Sequence, residues 1–386
     1  MNPSDIFIVA AKRTPFGRFL GRLAELSPVQ LALAAGEAAL QGIDRSAIDL
    51  CILGNVLGAG HGMNIARQVG LGLGLPLETP AFTVNQMCAS GMTSVLAGIQ
   101  AIRSGEAGAV LCGGTESMSL APHLLRGSRT GKKLGDSKLV DSVLQDGLID
   151  PSSGEHMGLI TAERLAASCG IGRAEQDAFA VRSHQAWVKA EARGDFARER
   201  ITMEGLSTDE QARPDSSEEK LARLAPAFLP QGTVTAANAS GLNDGAAVLL
   251  LASEAACRSF GWTPMARVAG WATVGCDPAA TGLGPVYAVA KLQSRFSLAP
   301  GDFDAVEINE AFAVQALACS RELHLDEARF NPCGGAIAIG HPIGASGARL
   351  ATHLANRIAA GQIKSGLGSL CVGGGMGIAL ALEAPR

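Results

Sequence analysis

The sequence predicts an α/β protein made of two similar halves, with a mostly helical insertion in the first half. Short apolar runs alternate with longer helical patterns along most of the chain, which is typical of α/β architecture. The segments GAVLCGGTESM (108–118) and GSLCVGGGMG (368–377) resemble each other, and each predicts a strand that ends in glycines. Between about residues 117 and 240 the charge density rises and strand patterns fade, which indicates the insertion.

The strands and helices follow from these patterns. Apolar, β-rich runs predict strands at 6–10, 50–54, 109–114, 246–252, 266–272, 304–308, 369–374 and 377–383. Helical patterns lie near 28–41, 91–104, 174–193, 286–297, 310–324 and 345–360. The last helix is expected to stop at Gly361, because glycine readily adopts the left-handed conformation that closes a helix.

Composition narrows the function classes. The chain has 386 residues, 47% of them hydrophobic, so a large core spread over two or three domains is expected. A net charge of −4 and an aromatic content of 4% argue against a nucleic-acid partner. No apolar run reaches the roughly 18 residues of a membrane span, and the first residues lack a leader-like pattern. We therefore expect a cytoplasmic protein without a membrane partner.

The nine cysteines are scattered, without a CxxC pair or the cysteine–histidine spacing of a zinc site. Free thiols and no metal site are therefore expected. Cys88, in NQMCASG (85–91), differs from the others because small residues surround it and a helix is predicted to follow. Helix N-termini favour a thiolate, so Cys88 is a candidate nucleophile. The alternative is an ordinary buried cysteine.

Three further segments carry candidate functional residues. His341 lies in a glycine-rich segment (331–349), where it is either a general base or a core histidine in a tight turn. Cys371 precedes a run of glycines whose amides could bind an oxyanion, although a turn after a buried strand explains the pattern equally well. Asn309, in EINEAFA (307–313), either caps a helix or orients a polar substrate atom.

The segments together are far more specific than any one of them. NQMCASG, GGTESMS, HMG, NASGLNDGAA, NEAFA, GGAIAIGHPIGASGAR and CVGGGMG occur in this order over residues 5–384. The chain closely resembles the thiolase family, and within it the acetyl-CoA acetyltransferases of the biosynthetic type. Random agreement over so many segments is not credible.

The resemblance implies the thiolase fold, in which two βαβαβαββ halves form a five-layered αβαβα sandwich with a loop domain inserted in the first half. The N-terminal half is expected at 1–117, completed by 246–265. The CoA-binding loop domain is expected at 118–245 and the C-terminal half at 266–386. The resemblance also implies a homodimer that pairs into a homotetramer, with segment 121–141 resembling the tetramerisation excursion of these enzymes.

The implied activity is the reversible Claisen condensation of two acetyl-CoA molecules to acetoacetyl-CoA and CoA. Cys88 is expected to carry the acyl group as a thioester after activation by His341, and Cys371 to act as the second acid or base. His341 and a water held by Asn309 would stabilise the thioester enolate. The backbone amides of Cys88 and Gly373 would stabilise the acyl-enzyme oxyanion. No cofactor is implied, because the CoA thioesters are substrates.

The same resemblance implies the CoA-binding residues, which line a tunnel for the pantetheine arm and the acyl group. Arg213 is expected at the adenine end, and Ala311 with Phe312 at the pocket wall. The remaining expected contacts are Leu148, His156, Met157, Phe228, Ala236 and Ser240.

Three alternatives stay open at this point. Thr281 replaces the methionine that many short-chain members carry before the GxGP turn, so a 3-ketoacyl-CoA thiolase of broader chain length is one alternative. A decarboxylating ketoacyl synthase is disfavoured because such enzymes lack a second thiol equivalent to Cys371. A non-catalytic lipid carrier would have lost Cys88, His341 or Cys371, and none is lost.

Overall fold

Strands and helices alternate along most of the chain in a computed structural model, which describes residues 5–386. The strands are β1 Ile6–Arg13, β2 Gly17–Arg18, β3 Leu50–Gly54, β4 Ala81–Val84, β5 Ala109–Ser117, β6 His123–Leu125, β7 Leu139–Asp141, β8 Asn243–Ser253, β9 Ala266–Gly275, β10 Ala305–Ile308, β11 Ser365–Val372 and β12 Met376–Glu383. The helices are α1 Pro28–Ala39, α2 Ile65–Gly72, α3 Ser90–Ser104, α4 Arg164–Cys169, α5 Arg173–Arg193, α6 Glu218–Ala222, α7 Glu254–Phe260, α8 Gly284–Phe296, α9 Ala313–Glu322, α10 Ala336–Ile339 and α11 Ser346–Ala359.

Each strand and helix predicted from the sequence is present, with ends that differ by a few residues. Outside the insertion, α2, β4 and α7 were not predicted, and neither were the short elements β2 and α10. Two glycines within α2, Gly70 and Gly72, weaken its helical pattern. Strand β4 has only four residues, all at least partly exposed, so it lacks the apolar run of a central strand.

The first half of the main sheet has the strand order β4-β3-β5-β8-β1. Strand β3 pairs in parallel with β4 and β5, whereas β8 is antiparallel to both β5 and β1. The second half repeats this arrangement as β10-β11-β12-β9, with one parallel pair followed by two antiparallel pairs. Only two residue pairs, Phe7 with Arg267 and Ile8 with Ala266, join the halves through β1 and β9.

The second half departs from the expected βαβαβαββ pattern at one strand. The counterpart of β4 is a single parallel bridge between Val306 and Phe330. The next residue, Asn331, has a left-handed backbone with φ of 44°, which ends an extended chain. Its side-chain amide accepts from the amide of Ile308 and donates to the carbonyl of Ile308, both at 2.9 Å. A side chain thus supplies the hydrogen bonds that a longer strand would make.

Helices α3 and α11 pack against each other between the two halves of the sheet. Side chains alternate along a strand, so each half has an inner and an outer face. Inner residues such as Ile52 and Leu380 meet the two central helices. Leu53 faces outward to α1 and α2, and Ala381 faces outward to the cluster that contains α8 and α9. The result is the expected order of five layers: helix, sheet, helix, sheet, helix.

The chain between β5 and β8 is mostly helical, as predicted. It holds α4, α5 and α6, the β6–β7 hairpin and two π-helical segments, Val143–Leu148 and Gly158–Glu163. An apolar cluster that includes Ala162, Val234 and Val314 packs this region against α9. Across residues 5–386, no helix combines the length and the apolar character needed to cross a membrane.

Candidate active site

Cys88 lies in a tight turn two residues before α3 begins at Ser90. The preceding residue, Met87, has a left-handed backbone with φ of 49°, which is uncommon for a residue other than glycine. The side chain of Asn85 accepts from the Met87 amide at 3.0 Å, and the Ser90 hydroxyl donates to the Met87 carbonyl at 2.7 Å. The surrounding hydrogen bonds therefore hold a strained turn that fixes the position of the thiol.

Burial, rather than the helix N-terminus, dominates the pKa of Cys88. Burial raises the pKa of Cys88 to about 11, and the charge of Glu116 acts in the same direction. The backbone amides of Gly373 and of Cys88 itself donate toward the sulfur and oppose this rise. Cys88 is therefore protonated at neutral pH, so its attack on a thioester requires a nearby base.

His341 is buried and lies on the loop that leads into α11. The hydroxyl of Ser346 donates to the Pro342 carbonyl at 2.9 Å, so its oxygen accepts from His341 Nδ1, 2.6 Å away. The ring proton is therefore assigned to Nδ1, and Nε2 keeps its lone pair. The Asn243 side chain accepts from the His341 backbone amide at 2.9 Å and fixes the loop.

The imidazole of His341 is neutral at physiological pH. Burial, together with the positive charge of Arg349, lowers its pKa to about 4. A neutral imidazole with a free Nε2 can take a proton from a thiol. Ser346 and Asn243, which orient this ring, were not identified from the sequence, although both lie within the quoted motifs.

Asn309 is fully buried beside His341 and does not cap a helix, because α9 begins four residues later, at Ala313. Its Nδ2 lies 3.4 Å from each ring nitrogen of His341. Its Oδ1 has no hydrogen-bond partner within residues 5–386. A buried amide oxygen in this state is costly unless a polar ligand or water binds it. The capping alternative is therefore wrong, and Asn309 has a free acceptor beside the imidazole.

Cys371 and Gly373 lie where β11 turns into β12. Cys371 is buried next to the end of β11, and burial raises its pKa well above the usual range. The turn residues Gly374 and Gly375 have φ of 84° and 79°, a conformation that favours glycine. This turn brings the Gly373 amide to the sulfur of Cys88.

One cavity of about 350 Å³ brings these groups together. Its wall is mostly apolar, which excludes water from the thiols and the imidazole. The lining residues are Cys88, Met118, Leu144, Gly147, Leu148, His156, Met157, Thr161, Ala227, Phe228, Thr235, Ala236, Ala239, Ser240, Gly241, Leu242, Thr281, Ala311, Phe312, His341, Ile343, Cys371 and Gly373. Of the residues expected at the site, only Asn309 and Arg213 are not in the wall. Asn309 contacts His341, whereas Arg213 is an exposed residue of the insertion.

Aromatic contacts shape one wall of the cavity. The ring of Phe228 lies 4.8 Å from that of His156 and 6.3 Å from that of Phe312. A Cβ at Gly158 would lie 2.2 Å from the Phe228 ring, so this position requires glycine. Ser240 donates its backbone amide to the Ala311 carbonyl at 3.0 Å, which joins the insertion to the loop after β10. The wall is thus built from both the insertion and the second half of the sheet.

Glu116 holds the loop that carries His341, and this role was not predicted from the sequence. Its buried carboxylate accepts from the backbone amides of Val56, Leu57 and Gly344 at 3.1, 3.1 and 2.9 Å, and from the Asn55 side chain at 2.9 Å. Burial raises the pKa of Glu116 to about 7 against these donors. Within residues 5–386, no cluster of three or more His, Cys, Asp or Glu residues could hold a metal ion.

Two thiols, an imidazole and backbone amides in one apolar cavity define a site for acyl transfer to and from sulfur. Comparison with known proteins agrees. Residues 6–255 match the thiolase N-terminal domain model and residues 262–384 match the thiolase C-terminal domain model. The chain belongs to the thiolase family. The enzyme class predicted from the sequence, an acyltransferase of this family, is confirmed.

Individual relatives support the same assignment. The chain is 46% identical to an acetyl-CoA acetyltransferase of Pseudomonas aeruginosa, covering 98% of this chain and 99% of that one. It is 43% identical to the human mitochondrial 3-ketoacyl-CoA thiolase, covering 98% of each chain. A crystal structure of human mitochondrial 3-ketoacyl-CoA thiolase in complex with CoA is similar with a TM-score of 0.96 at 44% identity, covering 99% of this chain and 98% of that one. The predicted thiolase fold is confirmed.

Proposed function

We propose that this protein is an acetyl-CoA C-acetyltransferase that catalyses the reversible condensation of two acetyl-CoA molecules to acetoacetyl-CoA and CoA. The observation that carries this proposal is the convergence of Cys88, His341, Cys371 and Gly373 on one cavity. Relatives named acetyl-CoA acetyltransferase at 45–46% identity support the acetyl group as substrate. The CoA bound in a similar human thiolase structure supports CoA as the carrier of this acetyl group.

The first step transfers an acyl group to Cys88. His341 Nε2 takes the thiol proton while the sulfur attacks the thioester carbonyl. The carbon–sulfur bond to CoA then breaks, and the proton passes to the CoA sulfur. The amides of Cys88 and Gly373, which already point at the Cys88 sulfur, are placed to stabilise the oxyanion. Each such donor is worth about 3 kcal/mol in comparable sites.

The second step makes or breaks a carbon–carbon bond. In condensation, Cys371 first passes its proton to neutral His341, and the resulting thiolate removes a proton from the methyl group of acetyl-CoA. The carbanion attacks the acyl-Cys88 carbonyl, the carbon–sulfur bond to Cys88 breaks, and the released Cys88 sulfur takes the proton back from His341. In cleavage, the Cys371 thiol protonates the departing carbanion. Burial keeps Cys371 protonated at rest, which is the form that cleavage requires. The free amide oxygen of Asn309 would hold a water at the enolate oxygen, together with His341.

The expected CoA contacts fit a tunnel that leads to these groups. Phe228, His156 and Met157 would line the pantetheine arm, with Leu148, Ala236, Ser240, Ala311 and Phe312 around it. Exposed Arg213 would meet the adenine end at the surface. These steps use only thiol, imidazole and amide groups of the chain, and the CoA thioesters serve as substrates rather than cofactors.

A broader acyl range is the second candidate. Relatives named mitochondrial 3-ketoacyl-CoA thiolase reach 42–43% identity over 98% of the chain. Thr281 lines the cavity with a side chain smaller than methionine, and its hydroxyl is already bonded to the Pro278 carbonyl at 2.7 Å. The side chain at this position is therefore small, and its hydroxyl already has a hydrogen-bond partner. This favours substrates with acyl chains longer than acetyl.

We also propose a homodimer that pairs into a homotetramer. Strand β4 ends the main sheet, and its Phe82 is 42% exposed, so its free edge offers a template for a second chain. The β6–β7 hairpin exposes Leu125, Leu134 and Leu139, which would form the second contact. A cytoplasmic location is consistent with nine unpaired cysteines. Light scattering after gel filtration tests the assembly, and cell fractionation tests the location.

A thiolysis assay tests the proposed activity. Purified protein should cleave acetoacetyl-CoA when CoA is added, with loss of the magnesium–enolate absorbance. Cys88→Ala should abolish both turnover and the acetylated form of the protein in intact-mass spectra. Cys257→Ala, a buried cysteine outside the cavity, is the matched control and should retain activity. A wild-type protein that cleaves no 3-ketoacyl-CoA would refute the proposal.

A further inference from the structure

A buried ion pair lies between the elements that carry His341 and Asn309. Arg349 Nη1 on α11 is 3.7 Å from Glu307 Oε2 on β10, and both side chains are 1% exposed. Ser346, the first residue of α11, bonds the His341 ring. Asn309 follows Glu307 by two residues. The pair therefore connects the supports of the two groups that are proposed to act together at the enolate.

Stability does not explain this pair. At 3.7 Å it is longer than a hydrogen bond, and neither oxygen of Glu307 has a hydrogen-bond partner within residues 5–386. Arg349 Nε and Nη1 also lack a hydrogen-bond partner within that part of the chain. Apolar residues of similar volume are often as stabilising as a buried ion pair, or more so. The pair thus costs stability relative to apolar side chains, and it lies where the geometry and charge around His341 and Asn309 matter.

Further charges hold the pair in place. His353, one turn along α11 from Arg349, bonds Glu199 at 2.7 Å, and Glu199 in turn bonds Arg13 at 2.6 Å. Burial alone would lower the pKa of His353, but the Glu199 carboxylate, together with Cys333, outweighs it and raises the pKa to about 10. His353 is therefore a fixed cation 4.0 Å from Glu307. A buried series of alternating charges thus consists of Arg349, Glu307, His353, Glu199 and Arg13.

We propose that Arg349 is a positioning residue of the thiolase site. Paired with Glu307, it ties α11 to β10, fixes the contact between His341 and Asn309, and places a positive charge on the side of the imidazole. This proposal rests on the proposed function, because His341 must be a neutral base for acylation of Cys88. An imidazole beside a fixed cation resists protonation, so His341 returns its proton readily to the CoA sulfur.

The other titratable groups around His341 do not supply this charge. Cys88 and Cys371 share its cavity and are neutral thiols at rest. Glu116 accepts from the Gly344 amide on the same loop, and as an anion it would favour protonation of the ring. Arg349 is the cation that opposes protonation of His341.

The test compares charge and shape at position 349 in the full-length protein. Arg349→Met removes the charge, and Arg349→Lys keeps it with a different head group. Arg267→Met is the matched control, because Arg267 pairs with Glu383 in a partly buried site at the other end of the sheet. Thiolysis kinetics give kcat and the KM for CoA. Imidazole NMR titration of histidine-labelled protein, assigned with His341→Asn, gives the His341 pKa.

We expect Arg349→Met to lower kcat by roughly tenfold or more, with the KM for CoA unchanged. The His341 titration should move upward by roughly one pH unit. In Arg349→Lys the titration should stay at the wild-type value, with a smaller loss of kcat. Arg267→Met should match the wild type in both measurements.

Two results would overturn the proposal: an unchanged kcat in folded Arg349→Met, or a His341 titration that does not move. Arg349→Met alone leaves a buried carboxylate unpaired, which is strongly destabilising. Should it fail to fold, the double variant Arg349→Met/Glu307→Gln removes both charges, and the same two measurements decide. All effects are ratios to an active wild-type protein, so an inactive wild type refutes the proposed function and not this pairing.

Discussion

His341 Nδ1 and Ser346 Oγ lie 2.6 Å apart, and this hydrogen bond orients the imidazole in the cavity. The Ser346 hydroxyl donates its own proton to the Pro342 carbonyl, so its oxygen can only accept a hydrogen bond from the ring. The lone pair of His341 is thereby placed on Nε2. A helix N-terminal serine selects the tautomer that a general base needs.

Ser346→Ala should lower kcat because the ring can then rotate and exchange tautomers. We expect a loss of roughly tenfold to hundredfold in kcat, with the KM for acetoacetyl-CoA within about twofold of the wild type. Steady-state thiolysis measures both. Ser94→Ala is the matched control, since Ser94 is also a buried helical serine but bonds Gly91 and Gly113. Full kcat in Ser346→Ala would contradict the orienting role.

The His341 imidazole should titrate at about pH 4 in the folded protein, because burial lowers its pKa to that value. The folded pKa lies below the unfolded value of about 6.5, so the unfolded chain binds more protons between these pH values. The contribution of His341 to the free energy of unfolding is therefore lost as the pH falls from 6.5 through 4. Imidazole NMR titration measures the pKa directly, and a midpoint near 6.5 would show that the ring is solvated.

Cys371→Ala should separate the two proposed chemical steps. Acetyl-CoA should still acetylate Cys88, because His341 and the amide donors remain. Condensation should fall by roughly a thousandfold, since no thiolate removes the methyl proton. Intact-mass spectrometry follows the acetyl group, and release of CoA follows turnover. Normal condensation by this variant would reassign the second base.

Thr281→Met should narrow the range of acyl chains. The longer side chain would fill part of the cavity that Thr281 lines, so we expect kcat/KM for a long 3-ketoacyl-CoA to fall by roughly tenfold or more relative to acetoacetyl-CoA. A chain-length series of 3-ketoacyl-CoAs gives this ratio. Thr281→Val keeps the volume without the hydroxyl and should retain the wild-type profile. An unchanged ratio in Thr281→Met would show that position 281 does not limit chain length.

Gly158→Ala should weaken binding of the CoA thioester. The added methyl would lie 2.2 Å from the Phe228 ring and force that ring away from His156. We expect the KM for CoA to rise by roughly tenfold, as contacts worth one to two kcal/mol are lost. Gly301→Ala is the control, because a Cβ there meets nothing within 4 Å. Calorimetric titration with CoA checks the effect, and unchanged affinity would place the pantetheine arm elsewhere.

The sequence predicted most of the fold because its signals are local. The run AAVLLLA predicts a buried strand without reference to any partner, and it forms part of β8, an interior strand that is buried along its whole length. Strand β4 and helix α2 were missed for the opposite reason. Their patterns are short or interrupted by glycine, and they become regular only because β3 and α1 lie beside them.

Part of the candidate site could also be predicted. Cys88, His341 and Cys371 were identified from residue type and glycine-rich surroundings, and the cavity brings them together. Ser346 and Glu116 were missed, since a serine at a helix start and a buried glutamate have no signal until their partners are known. The protonation state of Cys88 could not be predicted, because burial raises the pKa of its thiol against the backbone amides of Gly373 and Cys88.

The sequence by itself determined the family, the two-fold repeat of α/β halves and the identity of the reactive side chains, because these depend on residue type and order. Only the tertiary structure decided their states. The pKa values of Cys88 and His341, the tautomer set by Ser346 and the charge that Arg349 places near the ring depend on burial and distance. These quantities arise between residues far apart in the chain, so no local pattern encodes them.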